Sequence, residues 1–371
     1  MSNDIEVMRP DGENTSSVPQ VRALMRNHIE AVALFKILLI NFLLTIVTLG
    51  IYRFWAKTRF RQYLWGHVEI MGDRLEYTGT GKELFLGFLF VFIVILMPLF
   101  VVSIGLEVAL VDASDEAQVV RQILQLIVIL FLIGMALFRA RRYRLTRTHW
   151  RGIYGNQSGS AVTYALMTLG CMVLSGVSLG LAAPLCSVWL TKYEMGHTWL
   201  GDERPTFTPK ATKLYGAYLV FWLGSIVYLG CVMAAIGVSN MRAGDGVEPV
   251  PEMIAVYIVL FYLSLIPLAL LYAWYQGKKL HHFVSSTRFH NHDLSSAISG
   301  VNFLGLTVGN MLLKVLTLGL GTAWVYKRSF AFLERNVGLL GNGDFTALHQ
   351  SQMSKPQTGE GLADAFDVGA I

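Results

Sequence analysis

Charge is what this 371-residue sequence has least of: Asp, Glu, Lys and Arg make up 15% of it, against roughly a quarter in soluble domains. That shortage excludes an ordinary water-soluble globule. Cysteine is scarce as well, and Cys171, Cys186 and Cys231 are the full complement. All three sit in apolar stretches without the spacing of a disulfide framework or a metal site, so they read as packing residues. The first 25 or so residues lack a short apolar core followed by a small-residue cleavage site. They are polar instead, with Asn3, Asp4, Asp11, Glu13 and Asn14, so no removable signal peptide is expected. Also missing are a nucleotide-binding glycine loop, a metalloprotease motif, a nucleophile elbow and a paired-carboxylate arrangement. No enzymatic activity, cofactor or metal is therefore expected.

What is present is hydrophobicity: 54% of the residues are hydrophobic, with a mean hydropathy of +0.50. The apolar residues collect in runs such as 84–111, which holds one acid, Glu107, and 253–274. Such runs are long enough to cross about 30 Å of hydrocarbon at about 1.5 Å per residue. The expected class is an all-α multi-pass membrane protein. The net charge of +5 would suggest nucleic acid in a soluble chain, but no binding motif accompanies it, and no nucleic-acid partner is expected.

Basic loops orient a membrane protein, and here the connections alternate in sign. Arg53, Lys57, Arg59, Arg61, Arg74 and Lys82 fall in one. Arg139, Arg141, Arg142, Arg144, Arg147 and Arg151 fall in another with no acid; Lys278, Lys279 and Arg288, then Lys327, Arg328 and Arg335, follow later spans. Asp112, Asp115 and Glu116 occupy one short connection, and Asp245, Glu248 and Glu252 dominate a second. The positive-inside rule places the basic group and both termini in the cytoplasm and the two acidic connections outside.

Spans at about 85–111 and 121–138, and at about 215–239 and 253–275, form out-and-back pairs. Three other apolar stretches, about 31–54, 161–190 and 300–326, begin and end beside cytoplasmic-looking sequence, which a single crossing cannot do. Each holds a glycine-bearing break: Thr48-Leu49-Gly50, Ser178-Leu179-Gly180 and Thr317-Leu318-Gly319. Glycine admits the backbone angles of a tight reversal, so each stretch is expected to be a hairpin of two short helices.

The breaks belong to an internal repeat. Tyr63-Leu64-Trp65-Gly66-His67 recurs 130 residues later as Tyr193-Glu194-Met195-Gly196-His197, and the Gly72-Asp73 that follows the first is matched by Gly201-Asp202 after the second. Thr148-His149-Trp150 and Thr287-Arg288-Phe289 lie 139 apart, and Phe332 and Asn336 stand 269 residues after Tyr63 and His67. The expected domain map is a polar tail over 1–28, one membrane domain over 29–348, and a polar tail over 349–371. Its repeats run over about 31–160, 161–299 and, in part, 300–348. The turns flanked by aromatic and threonine-rich runs suggest short β-hairpins between the helices.

The run from Thr48 through Tyr52-Arg53-Phe54-Trp55-Ala56-Lys57 to Gly72-Asp73-Arg74-Leu75-Glu76-Tyr77-Thr78-Gly79 resembles the YjgN family of bacterial inner-membrane proteins. So do Arg141-Arg142-Tyr143-Arg144-Leu145-Thr146-Arg147-Thr148-His149-Trp150-Arg151-Gly152 and the element Thr317–Gly321. The resemblance covers roughly residues 25–350. It implies a location in the bacterial plasma (inner) membrane and an uncharacterised activity, and it supplies no catalytic residues.

Three groups of residues stand out as candidates. Lys314 lies among leucines and valines with Asn310 one turn earlier, and Asn41 takes the matching place in the first hairpin; ionisable and polar groups at membrane depth need partners or water. They make a candidate intramembrane polar site or, as the alternative, a snorkelling lysine and two bridging amides. Arg141, Arg142, Arg144, Arg147 and Arg151 are candidates for anionic lipid headgroups, the lipid bilayer being the expected partner. His281, His282, His290 and His292 with Asp293 form the densest histidine cluster but fit no standard metal spacing. Two functions remain open: a transporter or channel-like protein for a small solute or lipid, and a non-transporting scaffold or envelope protein that binds a partner through its cytoplasmic segments.

Overall fold

A computed structural model describes residues 21–243 and 251–341. The expected acidic connection containing Asp245 and Glu248, and most of both polar tails, lie outside these residues.

Each expected break is a reversal between two helices. The first pair is α1 (Ala31–Val47) and α2 (Arg53–Gly66). Leu49 and Gly50 both take left-handed angles, φ 50° and 91°, a conformation that only glycine adopts without cost. The Gly50 N–H donates to the Thr45 carbonyl at 2.7 Å, closing the α1 C-terminus in a Schellman-type turn. The Thr48 hydroxyl then accepts the Tyr52 N–H at 2.9 Å and so satisfies a donor at the start of α2. The same device recurs between α6 (Ala161–Val177) and α7 (Ala183–Gly196), and between α10 (Gly300–Leu316) and α11 (Thr322–Asn336). There Ser178 and Thr317 supply the hydroxyls, to Ala182 N–H at 3.0 Å and Gly321 N–H at 2.7 Å.

The paired helices lie side by side. The Tyr63 hydroxyl exchanges hydrogen bonds with the backbone of Glu30, and the Tyr193 hydroxyl does so with Ser160, pinning each hairpin foot. In the third copy Phe332 has no hydroxyl and packs edge-on against Phe303. At 17 residues, α1, α6 and α10 each extend about 25 Å, short of a hydrocarbon core.

Between the hairpins run longer helices. α3 (Gly81–Val91) continues through a π turn at Phe92–Leu96 into α4 (Met97–Ala109), and α5 (Asp115–Arg147) returns. The second pair is α8 (Thr212–Ala243) and α9 (Pro251–Ser285). Among the described residues, four stretches, Gly81–Ala109, Asp115–Arg147, Thr212–Ala235 and Val259–Ser285, are long and apolar enough to cross a membrane. Helix contacts follow the chain (α2 on α3, α5 on α6, α7 on α8, α9 on α10), and α11 packs back on α1.

An all-α description does not hold. Among the described residues, eleven short strands form two antiparallel sheets. β2 (Met25–Asn27), β3 (Val68–Ile70), β4 (Asp73–Tyr77), β5 (Thr148–Trp150), β6 (Ile153–Gln157) and β7 (Thr198–Leu200) make one, in that order. β1 (Val21–Ala23), β11 (Val337–Leu340), β10 (His292–Ser296), β9 (Thr287–Phe289) and β8 (Thr206–Phe207) make the other. β1 and β2 are separated only by Leu24, and residues 201–205 join β7 to β8, so the sheets form one circuit. Strands of two to five residues leave unpaired edges. Each hairpin here closes its edges against a neighbouring copy rather than standing alone, which is why isolated β-hairpins are not what forms. Residues 21–27, within the expected polar tail, are two of these strands. Trp150 and Ile153 from one sheet meet Leu339 from the other in a buried cluster, with Ile70, Leu200, Phe289 and Leu294 around it. The Trp150 indole N–H donates to the Ile70 carbonyl at 3.0 Å, leaving no polar atom of that ring unsatisfied.

Candidate functional site

The densest polar chemistry lies where the last turns of α5 meet the sheet and the second hairpin. Gly134 permits the approach: a Cβ there would fall 2.9 Å from the Ala165 Cα of α6. Further along α5, Phe138 packs on Tyr164 and Tyr193, while Ala140 meets Val91 and Tyr143 meets Phe54 and Leu84 on the other side, so the arginines between them are turned toward protein acceptors.

Arg141 Nη1 pairs with Glu194 Oε2 at 3.2 Å, and its Nη2 reaches Thr198 Oγ1 at 3.4 Å. The Tyr164 hydroxyl donates to the other oxygen of Glu194 at 2.8 Å. Arg142 donates to the Gln157 and Gly159 carbonyls, both at 2.7 Å. Arg147 holds both oxygens of Glu83, at 3.1 and 3.3 Å, and the Tyr143 hydroxyl donates to the same carboxylate at 2.7 Å. Arg151 pairs with Asp73 and lies over the Trp150 ring at 4.9 Å. Arg144 and Arg141 line a cavity of about 350 Å³ shared with Trp65, Val68, Leu75 and Phe330. The five candidate arginines therefore stand in three kinds of place: Arg141 and Arg144 at a cavity, Arg142 on loop carbonyls, Arg147 and Arg151 on carboxylates.

Three buried groups in this region lack a hydrogen-bond partner: Arg141 Nε, Asn156 Nδ2 and the whole side-chain amide of Gln157. Unpaired buried donors and acceptors cost about 1–3 kcal/mol each, which makes this corner the least settled part of the polar network.

The intramembrane candidates are not gathered into one site. Asn41 is buried, and its Nδ2 donates across the first hairpin to the Ala56 carbonyl at 3.3 Å. Asn310 Nδ2 donates to Ser329 Oγ at 3.2 Å across the third. In both, Oδ1 is buried without a partner. Lys314 is exposed in the last turn of α10, and it is the Lys314 carbonyl that takes the Gly319 N–H. The histidines are likewise dispersed. His282 Nε2 meets the Lys210 backbone at 3.1 Å, and His290 Nδ1 meets Glu203 Oε1 at 2.7 Å. His67 and His197 each reach the carbonyl four residues back at 2.7 Å, as Asn336 does at 2.8 Å. Among the described residues, no three His, Cys, Asp or Glu side chains gather as a metal-ligand set.

Sequence reasoning overlooked Glu83, Glu194 and Gln157. A signal existed for the two acids, since each is an isolated carboxylate at the edge of an apolar helix. Nothing in the sequence marks Gln157.

Comparison with known proteins gives a consistent picture. A family profile described as bacterial protein of unknown function (DUF898) matches residues 26–365. Inner membrane protein YjgN of Escherichia coli K12 is 29% identical over 149 residues, 39% of this chain and 34% of that protein. Its counterpart in Salmonella typhimurium LT2 is 39% identical over 71 residues, 19% of this chain and 18% of that protein. The matched stretches thus span about a third or less of these relatives' length. No solved structure matches.

Proposed function

Because the chain belongs to the DUF898 family of bacterial proteins of unknown function, we propose that it is an integral inner-membrane protein serving as a non-transporting scaffold, which presents its strand circuit to a cytoplasmic partner. The location rests on the four long apolar helices together with the names its relatives carry. The observation that carries the scaffold reading is the apolar cluster of Trp150, Ile153 and Leu339. It fills the strand circuit at the level where a solute leaving the helices toward the cytoplasm would pass. A conducting path needs groups that replace a solute's hydration, and the side chains gathered in this cluster are apolar.

In this reading the three hairpins enter the cytoplasmic leaflet and turn back. Their tips carry Leu49, Leu179 and Leu318, exposed by 94%, 80% and 93%, as suits lipid rather than water. The strand circuit and both termini lie in the cytoplasm, in agreement with the charge of the connections.

The competing transport reading rests on Lys314 with the unpartnered Asn41 and Asn310 acceptors. Reconstitution into sealed vesicles separates the two. The scaffold reading expects leakage of ions and small dyes no greater than from protein-free vesicles. Flux above that level that disappears in Lys314→Met, with membrane insertion unchanged, would overturn it. Labelling of single cysteines at Asn291 and Ser114 in intact cells tests the orientation: Ser114→Cys should react from outside and Asn291→Cys should not.

A further inference from the structure

The arginines that the sequence singled out for lipid are engaged inside the protein, whereas Arg328 and Arg335 are not. Arg328 and Arg335 stand two turns apart on one face of α11, both exposed, and among the described residues neither has a hydrogen-bond or ion-pair partner. They line a cleft of about 540 Å³ between α10 and α11, with Asn302, Asn336, Leu306 and Phe332. None of the lining residues is a carboxylate.

The cleft is built for a guanidinium. Gly309 leaves room beside the α10 backbone, and the Arg328 guanidinium lies there, its Nη2 2.5 Å from where a Cβ would stand. The opposite face of α11, with Ala323, Tyr326 and Phe330, is occupied by the core shared with α1 and α2. α9 covers a different face of α10, where Gly277 meets Gly300 and Phe303.

The first hairpin shows what the third lacks. There the corresponding face carries Gln62, the repeat counterpart of Ala331, whose Nε2 reaches the Gly79 carbonyl at 3.5 Å. Gly81, the first residue of α3, sits against Trp55 on the same helix. The segment leading into a spanning helix thus covers that face. In the third copy no spanning helix follows among the described residues, and Arg335 stands where Gly66 does. The face stays open and carries two uncompensated positive charges beside Leu306 and Phe332.

We infer that this cleft binds the phosphodiester headgroup of an anionic phospholipid, with Arg328 and Arg335 on the phosphate and the apolar residues along the first part of the acyl chains. The inference rests on the membrane reading above: the cleft opens at the hairpin foot, next to the strands, which that reading puts at headgroup level. Guanidinium groups suit the purpose because each offers paired donors to phosphate oxygens.

The test is native mass spectrometry of the full-length protein in mild detergent, titrated with phosphatidylglycerol, phosphatidylcholine or inorganic phosphate. Phosphatidylglycerol should bind in preference to both others. The double variant Arg328→Gln/Arg335→Gln should weaken its first adduct about thirtyfold, equivalent to about 1 kcal/mol per near-surface charge. Arg288→Gln, which removes a positive charge outside the cleft, should not change it. Undiminished binding by the double variant, equal weakening by Arg288→Gln, or inorganic phosphate binding as tightly as the lipid would each overturn the inference. So would lipid binding that appears only after removal of residues 342–371, whose four acids (Asp344, Glu360, Asp364, Asp367) against one Lys355 would then be the occupant. The double variant should keep the wild-type elution volume and melting temperature. Carbonate extraction separates the failures: protein released from membranes defeats the membrane reading, whereas retained protein without lipid preference defeats only this inference.

Discussion

The strand circuit and the hairpin tips use the same kinds of side chain to opposite ends. In the circuit, Trp150 and Leu339 are 5% and 1% exposed, whereas leucines at the three tips project almost fully. Apolar burial is worth about 25 cal/mol per Å² wherever water is the alternative. The circuit must therefore close on itself, while the tips gain nothing from folding back if lipid surrounds them. Under the proposed membrane placement, the difference gives each region its solvent.

The largest effect that could break this comparison is in the circuit. Trp150→Ala should cost about 3–5 kcal/mol, the range for large core aromatics, read as a lowered melting temperature in detergent. Leu49→Ala should leave that temperature unchanged. Equal losses from the two would show that the tips are packed against protein after all.

A second prediction concerns the polar corner beneath the circuit. Glu194→Ala removes the partner of both Arg141 and Tyr164 and should destabilise by about 2 kcal/mol, between the costs of exposed and buried pairs. Glu194→Gln keeps an acceptor for Tyr164 and should lose about half as much. Identical losses in the two variants would mean that the charge is irrelevant there.

The hairpin turns give a smaller effect. At Gly50 a Cβ would meet nothing within 4 Å, so Gly50→Ala isolates the backbone cost of a left-handed residue, about 1 kcal/mol. No change in melting temperature would contradict the turn conformation.

The smallest effect lies on the circuit's rim. Arg288 grips both oxygens of Asp293 at 2.8 and 3.0 Å, and that hydrogen bonding holds the Asp293 carboxyl below its ordinary range. A carboxylate with a depressed folded pKa contributes stability above its unfolded value of about 3.9, lost as pH falls through the folded one. Both groups are in water, so the change should be barely measurable. Asp293→Asn should fall barely short of wild type at neutral pH, match it in acid, and lack the slight decline below about pH 4. A large acid-dependent difference between the two proteins would show that the pair is shielded from water.

The helical part of this architecture was largely readable from the chain. The long apolar runs correspond to the helices from Gly81 to Ala109, Asp115 to Arg147, Thr212 to Ala235 and Val259 to Ser285, because hydropathy over about 20 residues is a local property. The three reversals were readable as well, since Leu-Gly in a left-handed pair leaves a mark at one place in the sequence. The circuit was not. Its strands are too short to show a period, and its closing pair joins Val21 to Leu340, a contact no local pattern announces. The arginine partners were hidden for the same reason: Glu83 lies 64 residues from Arg147, and Glu194 lies 53 from Arg141.

Composition alone determined the solvent class, because scarce charge and long apolar runs leave water no means of dissolving the chain. Repeated motifs alone determined that the hairpins recur. The tertiary structure decided which charges are free. In sequence Arg141–Arg151 is the conspicuous basic stripe and Arg328 and Arg335 are two unremarkable residues. The fold gives most of the stripe carboxylates and carbonyls as partners and leaves the other two facing an open cleft. A charge's freedom depends on what packs beside it, and that is settled only when distant segments meet.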